Sequence, residues 1–238
     1  MRISPLLIIL SLCAVAAPAQ DASLRGSLAE GAPLFGFRLG AAVPLGQFNQ
    51  FVGVGGELDG ALLLHPFGRQ DRFGLRIDVA YVIYGSETQT VPLLPSTGRI
   101  LVDVTTNNNI VSVALGPQIT FPGRAVRPYL GGDVGFSYFF TESSASGSSN
   151  EGVPFANTTN FDDFTVAFGG DAGLYISLSR RKAISLDLSV RYQHNATVRY
   201  LHEGSIQEQP DGSIRFTPNE TPVDLLLLRV GIGLGSRR

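Results

Sequence analysis

The chain has 238 residues and a formal net charge of -2, with 44% hydrophobic and 16% charged side chains. A net charge this close to zero excludes the overall positive field with which proteins attract nucleic acid. Charged residues fall well below the usual quarter, and the 28 glycines exceed the average share. The composition is therefore not that of an ordinary soluble enzyme.

The N-terminus has the pattern of an export signal. Arg2 precedes an apolar run from Leu6 to Ala17, and the small residues of Ala17-Pro18-Ala19 suit cleavage by a signal peptidase. The run is too short for a transmembrane helix, which needs roughly 20 residues. Cleavage after Ala19 would remove Cys13, which is the one cysteine, and with it any disulfide or cysteine site.

Eight later segments alternate large apolar residues with small or charged ones, with the period of two that predicts β-strands. In the clearest segment, residues 73–84, side chains such as Ile77 alternate with side chains such as Arg76. The predicted strands are, in chain order, 36–43, 53–64, 73–84, 111–121, 130–140, 164–178, 184–193 and 225–234.

The connections between these strands alternate in length. The short ones are 65–72, 122–128 and 179–183; the long polar ones are 85–109, 141–162 and 197–221, and 44–51 is a shorter connection on their side. The low-complexity stretch 142–150 is expected to be mobile and to bury nothing. Loops this long argue against a compact soluble domain and are typical of one end of an even-numbered membrane barrel.

The two faces of the predicted strands differ in bulk. Eight strands enclose little interior room, so the bulky apolar face fits the lipid side and the Gly-rich, charged face fits the lumen. Closure also leaves no unpaired sheet edge in lipid. The charged side chains are expected to pair inside the barrel. This predicted interior charge network consists of Arg38, Glu57, Asp59, Arg76, Asp78, Asp133, Asp171, Asp187, Arg191 and Arg229.

The predicted fold is thus all-β, a closed antiparallel eight-stranded transmembrane β-barrel. We expect a signal peptide over residues 1–19, a periplasmic lead over 20–34 and the barrel over 35–238, a length that can bury a sizeable core.

Two stretches, Phe37-Arg-Leu-Gly-Ala-Ala-Val-Pro-Leu-Gly46 and Pro128-Tyr-Leu-Gly-Gly-Asp-Val-Gly135, resemble strand passages of the small bacterial outer-membrane barrels. That group includes the OmpA transmembrane domain and OmpX-like and OmpW-like proteins. The resemblance implies export to the outer membrane of a Gram-negative cell envelope, through the barrel assembly machinery. The chain departs from the group by ending in Arg238 rather than Phe, and we expect no peptidoglycan-binding domain after the barrel.

Basic residues predominate at one end of the predicted barrel and acidic residues at the other. The short turns and the C-terminus hold nine of the 18 basic residues against Asp71: Arg69, Arg72, Arg124, Arg127, Arg180, Arg181, Lys182, Arg237 and Arg238. The acids of the long loops are Glu87, Asp103, Glu142, Glu151, Asp162, Glu203, Glu208, Asp211 and Glu220, opposed by Arg99, Arg199 and Arg215. We expect the basic turns to lie over anionic outer-membrane lipids, with an acidic outer rim that does not favour a dedicated receptor for lipid phosphates.

The sequence offers little catalytic chemistry. Of the three histidines, His65 lies in a turn, and His202 lies in a long loop. His194 falls on the outward face near the loop end of its strand, but no nearby Ser would serve as its nucleophile, so an interfacial polar role is expected. We predict no catalytic, cofactor-binding or metal residue, no cofactor and no nucleic-acid partner.

The leading hypothesis is a non-enzymatic outer-membrane barrel with a structural or surface-interaction role. The alternatives are a small porin-like channel for hydrophobic or small solutes, a lipid-modifying outer-membrane enzyme that uses His194, and a soluble lipocalin-like binder. The sequence names no surface ligand.

Overall fold

The computed structural model describes residues 34–65, 72–92, 101–123, 125–147, 154–179, 184–202, 204–208 and 214–235. The predicted signal peptide, and the predicted lead apart from Leu34, lie outside the described residues. The same is true of the turn and C-terminal charges except Arg72 and Arg127. Of the predicted loop charges, Arg99, Glu151, Glu203 and Asp211 also lie outside them.

Eight long strands close into an antiparallel barrel, as predicted. They are β1 (Leu34–Leu45), β2 (Gly55–Leu64), β3 (Phe73–Pro92), β4 (Leu101–Thr120), β5 (Val126–Gly147), β6 (Ala156–Ser179), β7 (Ile184–Tyr200) and β10 (Asn219–Gly235). Two short strands, β8 (Ile206–Glu208) and β9 (Ile214–Phe216), pair with each other in the connection between β7 and β10. The barrel order is β1-β10-β7-β6-β5-β4-β3-β2, and β1 closes the ring by pairing with both β10 and β2.

The alternation of side chains sets the two surfaces of this wall, because successive residues of a strand point to opposite sides. On β1, Phe37 is 57% exposed on the outside, whereas Arg38 is 0% exposed in the lumen. The same contrast recurs on β3 and β10, where exposed Val79 and Val230 alternate with buried Asp78 and Arg229. The bulky face is therefore outward, and the charged face is inward.

The strands β3 to β6 continue well beyond the predicted bounds, and the loop prediction is wrong here. Residues 85–92 pair with 101–108, residues 141–147 pair with β4, and residues 141–145 also pair with β6. These segments are rich in Thr, Ser and Asn and show little apolar alternation. A sheet that extends beyond the barrel needs no apolar face, although its backbone still forms the hydrogen bonds of a strand. The alternation of apolar residues with a period of two is therefore absent, and the sequence does not reveal these strands. The stretch 142–150, which was predicted to be mobile, is correspondingly a strand as far as Gly147.

The wall of the barrel is consequently uneven in height. The pairing of β2 with β3 ends at Gly56 and Ile83, and the pairing of β6 with β7 ends at Ala167 and Asn195. Beyond these points, β3 to β6 form a four-stranded sheet that projects past the rim; we call it the projecting sheet. Elsewhere on the rim, the connection after β1 folds into a short 3-10 helix, Phe48–Gln50.

The close packing of β1 against β10 can be tested by substituting one glycine. β1 and β10 pair Arg38 with Gly231, and a Cβ at Gly231 would overlap the carbonyl oxygen of Phe37 and the backbone and side chain of Arg38. Gly231→Ala is expected to lower the free energy of unfolding by about 1–3 kcal/mol, the cost of overpacking. Urea titration of the barrel in detergent micelles measures it.

The matched control is Gly56→Ala, since a Cβ at Gly56 in β2 would meet nothing within 4 Å. We expect this variant to stay within about 0.5 kcal/mol of the unmodified protein. Equal losses for the two variants would contradict the pairing of β1 with β10.

Candidate functional site

The side chains of all ten residues of the interior charge network point into the lumen. Nine of them are buried: Arg38, Glu57, Asp59, Arg76, Asp78, Asp171, Asp187, Arg191 and Arg229. Asp133 is intermediate as a whole residue, but its side chain is 2% exposed. They come from β1, β2, β3, β5, β6, β7 and β10, so the network ties together most of the wall.

Arg38 is the hub on the β1 side of the lumen. Its Nε donates to Asp59 Oδ1 at 2.5 Å, and its Nη2 donates to Asp78 Oδ1 at 2.5 Å. Its Nη1 lies 3.6 Å from Asp187 Oδ2. One guanidinium therefore bridges three strands besides its own.

Arg76 on β3 is a second hub and shares Asp78 with Arg38. Its Nε donates to Asp78 Oδ2 at 2.7 Å, its Nη2 donates to Asp171 Oδ1 at 2.7 Å, and its Nη1 also bonds the other oxygen of Asp171. Nη1 further donates to Gln118 Oε1 at 2.9 Å. Gln118 lies in the predicted strand 111–121 but not in the predicted network, because the network was identified from charged side chains and an amide carries no charge.

Two further pairs complete the network. Arg229 donates from Nε to Glu57 Oε2 at 3.0 Å and from Nη2 to Glu57 Oε1 at 2.5 Å, a bidentate contact of the strong kind. Arg191 Nη2 donates to Asp133 Oδ1 at 2.6 Å. Charge pairing of this type offsets the large cost of removing these groups from water.

The network is not balanced in charge. Its six carboxylates outnumber its four arginines, which leaves two formal negative charges in excess. Asp133 is bound through one oxygen only: its Oδ2 has no hydrogen-bond partner and lies 3.8 Å from Arg76 Nη2. Asp171, in contrast, receives hydrogen bonds from Arg76 on both oxygens.

Apolar and aromatic side chains occupy the lumen at both ends of the network. Toward the turns, the rings of Tyr129 and Tyr175 stack with centroids 4.4 Å apart. Toward the loops, Phe48 from the 3-10 helix is 0% exposed and packs on Tyr84 and Tyr200 at 5.4 and 5.0 Å between centroids. The lumen is thus filled by side chains, as expected for eight strands.

The outer surface is an apolar belt with aromatic residues near each edge. Phe35 and Phe73 are exposed near the turn end, and Tyr138, Phe164 and Tyr192 are exposed near the loop end. Aromatic girdles at both edges of an outward apolar band are typical of barrels that cross a bilayer.

One polar cluster lies at the loop-end edge of this belt. The ring of His194 on β7 is 2.7 Å, through Nδ1, from Asp224 Oδ1 on β10, and Tyr192 OH donates to the same oxygen at 2.7 Å. His194 was predicted to face outward, and it does. Asp224 was missed, although it shares the outward phase of Leu226 and could have been found as a carboxylate on the apolar face. The other described histidine near this end, His202, stacks on Phe51 at 5.1 Å.

No helix among the described residues is long and apolar enough to cross a membrane. Within the same part of the chain, no group of three or more His, Cys, Asp or Glu side chains could hold a metal ion.

Three solved structures are among those to which this chain is similar. Neisserial surface protein A is 15% identical, covering 88% of this chain and 100% of its own, with a TM-score of 0.48. A major outer membrane protein of Thermus thermophilus is 16% identical, covering 85% and 99%, with a TM-score of 0.45. Outer Membrane Protein W of E. coli is 13% identical, covering 88% and 100%, with a TM-score of 0.41. No family model and no curated protein matches the chain.

Asp171 and Asp133 accept different numbers of hydrogen bonds from arginine. Asp171→Asn breaks a buried ion pair in which Arg76 donates to both carboxylate oxygens, so we expect a loss of about 3–5 kcal/mol in unfolding free energy. Asp133→Asn affects a single hydrogen bond, from Arg191, and should cost less. Urea titration in the same micelles compares them, and an equal or larger loss for Asp133→Asn would show that the number of hydrogen bonds from arginine does not set the cost.

Proposed function

We propose that the protein is an integral outer-membrane β-barrel with a structural or surface-interaction role and no catalysis. The observation that carries the proposal is the division of the wall into an apolar outside and a charged inside. A water-soluble barrel would have the opposite arrangement, because exposing a continuous apolar belt to water is unfavourable. Short turns then lie on the periplasmic side, and the long connections face the exterior.

The projecting sheet supports a role at the cell surface. It extends the barrel past the apolar belt with residues that suit water on both sides, such as Thr88, Thr105 and Ser143. Its acids include Glu87 and Asp103. Because the backbone of this polar sheet is hydrogen-bonded, its side chains are presented to other molecules in fixed positions. An unpaired loop would not fix them.

Arginine scanning distinguishes lipid from water around the belt. Val230 is 51% exposed midway along the apolar part of β10. If lipid surrounds it, Val230→Arg should lower the unfolding free energy in phospholipid vesicles by about 2–4 kcal/mol, and Thr88→Arg in the projecting sheet should change it by less than about 1 kcal/mol. If both variants are as stable as the unmodified protein, and the protein washes from membranes with urea, the proposal is wrong.

The channel alternative predicts a conducting lumen. The stacked tyrosines at one end, Phe48 and its neighbours at the other, and the paired charges between them all oppose a continuous path. We therefore expect planar bilayers containing the protein to show no single-channel steps. Regular conductance steps that disappear after heat denaturation would favour the channel instead.

The enzyme alternative depends on His194. Among the described residues, its hydrogen-bond partner is Asp224, and no Ser, Thr or Cys side chain bonds to the ring, as a nucleophile activated by histidine would. We accordingly propose that His194 is not a catalytic base.

A further inference from the structure

One edge of the projecting sheet has no partner strand among the described residues. β2 pairs with β3 only as far as Ile83, and beyond that point residues 85–92 of β3 pair with β4 alone. No backbone hydrogen bond from another described segment reaches these residues. The side chains of Ser86, Thr88 and Thr90 are exposed. The N–H and C=O groups on this side of residues 85–92, which we call the open edge, can therefore pair with an added strand.

The opposite edge of the projecting sheet, on β6, is partly blocked. The Asp163 carboxylate accepts from the backbone N–H of Phe164 at 2.9 Å and from the backbone N–H of Arg199 on β7 at 2.9 Å. Further along β6, Asn160 is an extra residue where the pairing with β5 shifts register. Bulges and covered backbone groups are the means by which proteins prevent strand addition at an edge.

The open edge of β3 is long and regular in comparison. The residues from Gly85 to Pro92 pair with β4 without a shift of register, and this length exceeds the usual strand of about five or six residues. The open edge contains no Lys, and its only proline is Pro92 at the end. It therefore lacks the side chains that protect exposed edges. An edge of this kind suits the addition of an extended peptide as a further strand.

The charge of the projecting sheet indicates the chemistry of the added strand. No Lys, Arg or His occurs in the four segments that form the sheet, 85–92, 101–108, 141–147 and 156–166. The acids in these segments are Glu87, Asp103, Glu142, Asp162 and Asp163. Among the described residues, Asp163 is paired with Arg199, and the other four acids form no salt bridge. A cationic partner would compensate this negative charge.

Two of these acids lie close to the open edge, one toward each face of the sheet. Glu87 is in β3 itself, and Asp103 in β4 is opposite Thr90, whose hydroxyl donates to it at 2.6 Å. Because Glu87 and Thr90 are three positions apart, their side chains project from opposite faces of the strand. An added strand with two basic residues three positions apart would place one of them beside each carboxylate.

We propose that the open edge of β3 binds an extended, cationic segment of another polypeptide as a fifth strand of the projecting sheet. The proposal deepens the surface-interaction role and rests on it, because the membrane orientation places this sheet outside the cell. Backbone hydrogen bonds supply the pairing, and basic side chains beside Glu87 and Asp103 supply the preference. A second copy of the open edge is a poor partner, since it would bring acids against acids.

The test measures the binding of synthetic eight-residue peptides to the full chain, folded in zwitterionic detergent micelles. The probe peptide alternates Thr and Val, with Lys at its third and sixth positions. One control peptide has Glu at those two positions. The other keeps both Lys but is N-methylated from its second to its seventh residue, which removes the backbone donors. By fluorescence anisotropy, we expect the probe to bind on the order of tenfold more tightly than either control.

The two control peptides separate backbone pairing from charge. If the N-methylated peptide binds as tightly as the probe, charge alone attracts the peptide and no strand is added. If the peptide with Glu binds as tightly as the probe, the partner is not cationic. Either result would overturn the proposal.

Amide hydrogen exchange shows which strand the probe joins. The probe should slow exchange at alternate backbone N–H groups within residues 85–90 of β3, and it should leave residues 156–159 of β6 unchanged. Slower exchange in β6 alone, or no change in either strand, would contradict the assignment to the open edge.

Substitutions in the protein test the part played by charge. Glu87→Gln and Asp103→Asn should each weaken binding of the probe by about twofold to fivefold, the usual effect of one cross-strand charge pair. The matched control is Asp162→Asn, which removes the same charge from β6 of the same sheet and should leave the affinity unchanged. Equal losses for all three variants would mean that the peptide responds to the overall charge of the sheet, and the open-edge site would be wrong.

The outcomes also distinguish this proposal from the membrane assignment. If the folded protein binds none of the peptides, the open-edge site is wrong, while the membrane assignment is decided separately by Val230→Arg in vesicles. If the probe joins β3 but Val230→Arg has no effect, the open edge binds peptide and the assignment to the cell surface is wrong.

Discussion

The structure depends on the need to enclose charged side chains inside a ring that is closed by backbone pairing. Ten charged residues on seven strands cannot face lipid, and they have partners only if they converge on the axis. Convergence requires small residues around them, and closure requires β1 to pair with β10. Once these conditions are met, the lumen has room for large apolar side chains only at the two ends of the network, and the others must lie on the outside. The apolar belt is thus a consequence of the interior network as much as of the membrane.

The network also explains how distant parts of the chain are held in register. Arg76 on β3 bonds Asp171 on β6, and Arg229 on β10 bonds Glu57 on β2. These contacts cross the lumen rather than following the ladder, so they link strands that do not pair. A slip of one residue in any strand would turn its charge toward lipid. We infer that the network specifies register, beyond what it contributes to stability.

The sequence predicted the parts of the fold in which one face must be apolar. The alternation from Phe73 to Tyr84 identified both β3 and its orientation, because lipid and lumen impose opposite demands on successive residues. It could not predict the projecting sheet, where Thr88 and Ser143 meet water on both sides. It also could not assign partners: Asp171 is 95 positions from Arg76, and spacing alone does not distinguish it from Asp133. The β-bulge between Asn195 and Val198 of β7 could not be predicted either, because the alternation of apolar and polar residues gives no sign of it.

The orientation of the wall is the central claim, and a nitroxide scan along β10 tests it most directly. Single cysteines at Leu226, Leu228, Val230 and Ile232 would carry the label on the apolar face, with Leu225 and Leu227 as the inward positions. In phospholipid vesicles, the account predicts high collision rates with oxygen and low rates with a water-soluble nickel chelate at the first four positions, and low rates with both at the other two. High collision rates with the nickel chelate at Leu228 and Val230 would mean that the apolar face meets water, which would contradict the account.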